Sequence, residues 1–90
     1  MEIRKQLTII NKLGLHARAA SKLVATASRF ASSILINRNG QTADAKSIMS
    51  LLMLAASKGT ELEFIISGND AEEALQHIEA LINNRFDEGE

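Results

Sequence analysis

The chain reads as an α/β protein of the α+β kind. It is a two-layer open-faced sandwich in the order β-α-β-β-α-β-α, a four-stranded antiparallel sheet with three helices on one face. Three observations predict this. Apolar residues alternate at period two over residues 2–10 and again over 61–67. Asn39-Gly40 separates two extended runs. In three other stretches the apolar spacing lengthens to that of a helix resting on one face. Ninety residues enclose one core and leave no room for a second, so residues 1–90 are read as a single domain.

In the first strand Ile3, Leu7 and Ile9 share a face with Lys5, while Arg4, Gln6 and Thr8 point away. A lysine on the apolar face predicts a place near a sheet edge, with its amine reaching water. Residues 17–29 form the first helix, and Ala20, Leu23, Val24 and Ala27 make its buried stripe. Residues 32–38 and 41–43 pair as a hairpin. A type I′ turn needs positive φ at both central residues, and Asn-Gly supplies it. The second strand of that hairpin is short and polar, as suits an edge. Ser47 caps a second helix, expected to run to about Lys58, stop at Gly59 and bury Leu51, Leu54 and Ala55. Leu62, Phe64 and Ile66 face inward from the last strand. Asp70 and Glu73 have capping-box spacing, and the last helix buries Ala74, Leu75, Ile78, Leu81 and Ile82. Residues 87–90 read as a frayed acidic tail.

Composition closes several routes. The net charge is −1, and Lys and Arg are dispersed. With three Phe, no Tyr and no Trp, the chain lacks the aromatic faces of a single-strand platform. Arg4, Gln6, Thr8, Glu61 and Glu63 do not make the open sheet face basic either, so no nucleic-acid partner is expected. Absence of cysteine removes disulfides and thiolate zinc sites. No apolar run reaches the ~18 residues of a membrane span. Residues 1–5 lack the apolar core of a secretory signal. A cytoplasmic protein without membrane insertion is expected. There is no metal-ligand cluster and no Walker loop, so neither metal nor other cofactor is expected, and the chain does not activate ATP alone.

Chemistry concentrates in the run Asn11-Lys12-Leu13-Gly14-Leu15-His16-Ala17-Arg18-Ala19-Ala20. Gly14 permits a bend, and a helix starts just after it. The first N–H groups of that helix, at Ala17 and Arg18, have no intrahelical acceptors, and the macrodipole is positive there. His16 could serve as a plain cap. Arg18 favours a reactive role, since its planar guanidinium suits phosphate oxygens beside the ring. Together they form a place where a phosphoryl group is taken up on nitrogen, its charge offset by Arg18 and the amides. The second helix is apolar almost all round, more than a small domain can cover. Ile48, Met49 and Leu52, joined by Leu15 beside the histidine, are therefore read as a docking surface for partner proteins. His77 reads as a solvated helix residue. Lys22, Arg29 and Lys46 form either a basic rim or scattered surface charge.

The run Leu15-His16-Ala17-Arg18 after Asn-x-x-Gly, and Ala45-Lys46-Ser47-Ile48-Met49 ahead of an apolar helix, resemble the HPr family of histidine-containing phosphocarrier proteins. Length and element order agree with that family from end to end. Leu51-Leu52-Met53-Leu54 and Phe86-Asp87-Glu88 look closest to its nitrogen-type branch, NPr. The resemblance implies a component of the phosphotransferase system, a monomeric carrier rather than an enzyme with its own turnover. His16 would accept the group through Nδ1 from enzyme I, charged by phosphoenolpyruvate. It would then donate to a histidine of an enzyme IIA protein, with Arg18 as the active-site arginine. The outlet would be either sugar transport or nitrogen regulation. Where the family has proline after that arginine, this chain has Ala19, so a slightly softer helix start is expected. Ser47 is a good N-cap in its own right. It also matches the serine that HPr kinase/phosphorylase modifies in HPr proteins that answer to it, and a phosphate there would weaken enzyme I docking. The competing reading is a regulatory interaction module of the same fold, acting through its second helix and Ser47. Such a module would not need both His16 and Arg18.

Overall fold

The computed structural model describes residues Met1–Glu90. Four strands, β1 (Glu2–Thr8), β2 (Ser33–Arg38), β3 (Gln41–Asp44) and β4 (Glu61–Ser67), form one antiparallel sheet in the order β1-β4-β2-β3. Three helices, α1 (Ala17–Ala27), α2 (Ile48–Met53) and α3 (Ala71–Asn83), pack on it, and a short 3₁₀ turn covers Arg85–Asp87. The order is the predicted one.

Register explains why one sheet face is oil and the other is not. Ile3, Ile66 and Ile34 form one row across three strands, and Leu7 stands opposite Leu62. Because side chains alternate, the neighbouring row Gln6, Glu63, Asn37 faces water. Helices cover the apolar rows with Ala19, Ala20, Leu23 and Ala27 of α1 and with Ala71, Ala74, Ile78 and Ile82 of α3. Val24, Leu75 and Leu81 lie only partly buried at the margin. Lys5 is on the edge strand and extends to Glu79 of α3, 3.9 Å away, so its amine does reach solvent. At the hairpin tip Asn39 and Gly40 have φ of 50° and 85°, the pair of left-handed residues a type I′ turn requires.

Three expectations about element ends need correction. α2 stops at Met53, five residues before Lys58, and Ala55 rather than Gly59 takes the left-handed position after it, with φ 51°. The cause is tertiary. Arg38 Nη1 donates to the carbonyls of Leu54 (2.6 Å) and Ala55 (2.8 Å), satisfying the helix end there. Ala55 is consequently exposed, while Leu51 and Leu54 are buried as expected. Asp70 does not form a capping box. Its carboxylate accepts from the N–H groups of Ala31 (2.9 Å) and Ser32 (3.0 Å) and from the Ser32 hydroxyl, tying the start of α3 to the entry of β2. Those bonds, led by the Ser32 hydroxyl, hold its carboxyl below the ordinary value of 3.8. The third correction concerns the tail, which is folded rather than frayed.

Candidate functional site

β1 leaves the sheet at Thr8, and the following turn is built around a buried asparagine. Asn11 Nδ2 donates to Gly14 O (2.8 Å), and Gly14 N–H donates back to Asn11 O (3.2 Å). Gly14 has φ +71°, and a Cβ there would sit 2.6 Å from Ala56 O. Only glycine fits that contact. The N–H of Leu15 then donates to the same Ala56 carbonyl at 2.8 Å.

The turn breaks the strand's alternation, with Lys12 and Leu13 exposed and Gly14 and Leu15 buried, and His16 emerges half-buried at its end. Leu15 is 5 % exposed and belongs to the core, which removes it from the docking surface predicted for it. His16 is the N-cap of α1, in extended backbone, and its Nδ1 accepts from Arg18 N–H at 3.3 Å. His16 O takes the Ala20 N–H at 2.8 Å, while the N–H groups of Ala17 and Ala19 have no acceptor in the chain. His16, Ala17 and Arg18 thus come together at the positive end of an 11-residue helix.

The tail completes the site, and nothing in the sequence reading anticipated it. Arg85, Phe86 and Asp87 all have positive φ (54°, 53° and 63°), folding the chain back so that the Phe86 ring is fully buried. Lys22 Nζ of α1 donates to Phe86 O at 2.7 Å, and Lys12 N–H donates to Glu90 O at 2.7 Å. This brings Glu88 to the histidine. One carboxylate oxygen accepts from Asn11 Nδ2 (2.9 Å), and the other lies against His16 Nε2. The His16 side chain is 29 % exposed, so it is flanked rather than standing free. Burial pushes the Glu88 carboxyl up, but the Asn11 and His16 hydrogen bonds outweigh it, helped by the electrostatics of the nearby His16 ring and Arg18. The net result is a carboxyl below its ordinary 4.5. Arg18 is exposed, lines the same groove as Lys12, Leu13, Lys22 and Glu88, and forms no ion pair. A sign of the tail's role was present in the single aromatic Phe86 within an otherwise polar ending.

Ser47 caps α2 as expected, its Oγ accepting from Ser50 N–H at 3.3 Å. Ile48, Met49 and Leu52 are exposed, and Met53 and Leu13, which sequence reasoning passed over, are exposed with them. Leu13 lies in the groove with Lys12, Arg18, Lys22 and the tail. His77 is half-buried rather than solvated, with its ring 5.3 Å from that of Phe30 and its Nδ1 against Glu73 O at 2.9 Å. The three basic residues do not form one rim. Lys22 binds the tail, Lys46 donates to Phe30 O (2.8 Å), and Arg29 stacks over the Phe30 ring. No three His, Cys, Asp or Glu side chains gather to hold a metal. No helix is long and apolar enough to cross a membrane.

Known proteins resemble this chain over nearly its whole length. A family model described as "PTS HPr component phosphorylation site" matches residues 3–84. The phosphocarrier protein HPr of Pseudomonas aeruginosa is 54 % identical over 86 residues, 94 % of this chain and 96 % of that protein. The phosphocarrier protein NPr of Shewanella violacea is 45 % identical over 87 residues, covering 97 % of this chain and 96 % of its own length. The HPr relative therefore stands above the nitrogen-type one. The crystal structure of HPr-C-His from Thermoanaerobacter tengcongensis superposes with a TM-score of 0.92 at 38 % identity, over 96 % of this chain and 97 % of that one.

Proposed function

The chain belongs to the HPr family, phosphocarriers of the phosphotransferase system and not enzymes, and from that premise we propose that His16 is the residue that carries the phosphoryl group. One observation supports this above the others. His16 caps α1 with Nδ1 turned toward the helix end, where the Ala17 N–H is free and the Arg18 N–H already points at the ring. A phosphoryl group on that nitrogen meets backbone donors, the positive end of the macrodipole and the unpaired Arg18 guanidinium. These offset its charge without enclosing it, which suits a group that must be handed on.

Donor and acceptor are other proteins. Enzyme I supplies the group and an enzyme IIA protein receives it, in the cytoplasm, with this chain acting as a monomer. Ile48, Met49, Leu52 and Met53 of α2 offer both partners one exposed apolar helix face, and methionine adapts to differently shaped faces. Ser47 is a second control point. Its hydroxyl sits at the start of α2 beside exposed Ile48 and Met49, so a phosphate added by HPr kinase/phosphorylase would put charge where enzyme I meets oil.

The test is incubation with phosphoenolpyruvate and enzyme I. Wild type acquires an acid-labile, base-stable phosphate, and His16→Ala acquires none. Persistence of the label in His16→Ala would overturn the reading.

A further inference from the structure

We propose that Glu88 is a positioning residue for phosphoryl transfer: it holds the Nε2–H of His16, leaves the Nδ1 lone pair as the ring's nucleophile, and meets the positive charge that the ring acquires. The inference rests on the reading of His16 as the carrier. A neutral imidazole has one N–H and one bare nitrogen, and the partner of each decides which is which. Nδ1 faces the Arg18 N–H, a donor, and Nε2 faces a carboxylate, which only accepts. The opposite tautomer would set donor against donor at one edge and lone pair against carboxylate at the other. Both partners therefore select the same tautomer, assigned here from its hydrogen-bond neighbours.

Glu88 is itself held. Its second oxygen takes the Asn11 amide, which also fixes Gly14, and the buried Phe86 two residues earlier anchors the backbone. The Glu88 side chain is only 10 % exposed, so water screens its charge poorly. This is the arrangement by which a carboxylate orients a working histidine.

The step balances without a base. The Nδ1 lone pair attacks phosphorus, the Nδ1–P bond forms, and the donor's bond to phosphorus breaks with its electron pair leaving on the donor. Nε2 keeps its proton throughout. The phosphorylated ring then bears a formal positive charge, and the Glu88 carboxylate lies against that edge. On donation the same ring departs from phosphorus as neutral imidazole, its proton still on Nε2.

Single-turnover phosphoryl uptake from phosphorylated enzyme I is compared for wild type, Glu88→Ala, Glu88→Gln and Glu88→Asp, with nitrogen-edited NMR of the His16 ring. In Glu88→Ala the expected result is a fall in uptake rate of about tenfold or more. The Nε2–H resonance, visible in wild type, is lost to solvent exchange. Glu88→Gln retains an acceptor, so it keeps the resonance while losing rate, which separates charge from geometry. Glu88→Asp recovers part of the rate. A wild-type or faster rate in folded Glu88→Ala, or equal rates in Glu88→Gln and wild type, would overturn the proposal. If the phosphate in wild type is not on His16 at all, it is the carrier reading that fails.

Discussion

The starts of α1 and α2 use the same device for different ends. Each is capped by a side chain that accepts from a backbone N–H at 3.3 Å, His16 from Arg18 and Ser47 from Ser50. Around Ser47 the structure is sparse: a helix of six residues, exposed Ile48 and Met49, and no tertiary bond to the hydroxyl. Around His16 it is dense, with Gly14 pressed on Ala56, Glu88 on Nε2 and the tail locked by Phe86 and Lys22. A cap alone needs one acceptor atom and tolerates motion. A nucleophile needs its second nitrogen, its orientation and its electrostatic surroundings fixed as well.

Exchanging the caps gives the largest effect. His16→Ser keeps an N-cap, so stability should change by no more than about 1 kcal/mol in thermal unfolding, while the acid-labile phosphate disappears entirely. Next in size is Gly14→Ala. Positive φ and the 2.6 Å approach to Ala56 O should together lower stability by more than about 2 kcal/mol in denaturant titration. At the α2 start, Ile48→Glu should weaken enzyme I binding about tenfold by calorimetry with the unfolding midpoint unchanged, because that residue is exposed. A lost midpoint would place Ile48 in the core. The third helix start sharpens the contrast by acid titration. Asp70 has a depressed folded value, so its contribution to stability is fully present above pH 3.8 and is lost as pH falls through the lower folded value. Asp70→Asn should therefore flatten the acid limb of the stability curve below that pH and leave it unchanged in shape above. The smallest effect belongs to Ala19→Pro. The Ala19 N–H has no acceptor in the chain, so proline removes no hydrogen bond and transfer rates should stay within a few-fold of wild type. A change of orders of magnitude would show that the softer helix start matters.

What could be read from residues alone was what local chemistry dictates. Asn39-Gly40 had to be a tight turn because few residues accept positive φ, and Leu62, Phe64 and Ile66 had to share a face because a strand alternates. His16 and Arg18 were legible for the same reason, lying two residues apart at a helix start. The misses are all tertiary. Leu-Leu-Met-Leu-Ala-Ala contains no stop signal, and α2 ends where Arg38, sixteen residues before Leu54, satisfies its carbonyls. Asp70 has the spacing of a capping box but finds Ser32 instead, a partner that only the packed sheet brings near. Glu88 looked like solvated acid. Its place depends on three left-handed residues and a buried ring, and polar composition hides both.

The hydrogen bond from Leu15 N–H to Ala56 O joins the backbone just before His16 to the backbone just after α2. Gly14 lies flush against the same carbonyl. On the proposed reading, a partner that docks on α2 also fixes where it stands relative to the ring, and alignment of that kind removes much of what makes a bimolecular reaction slow.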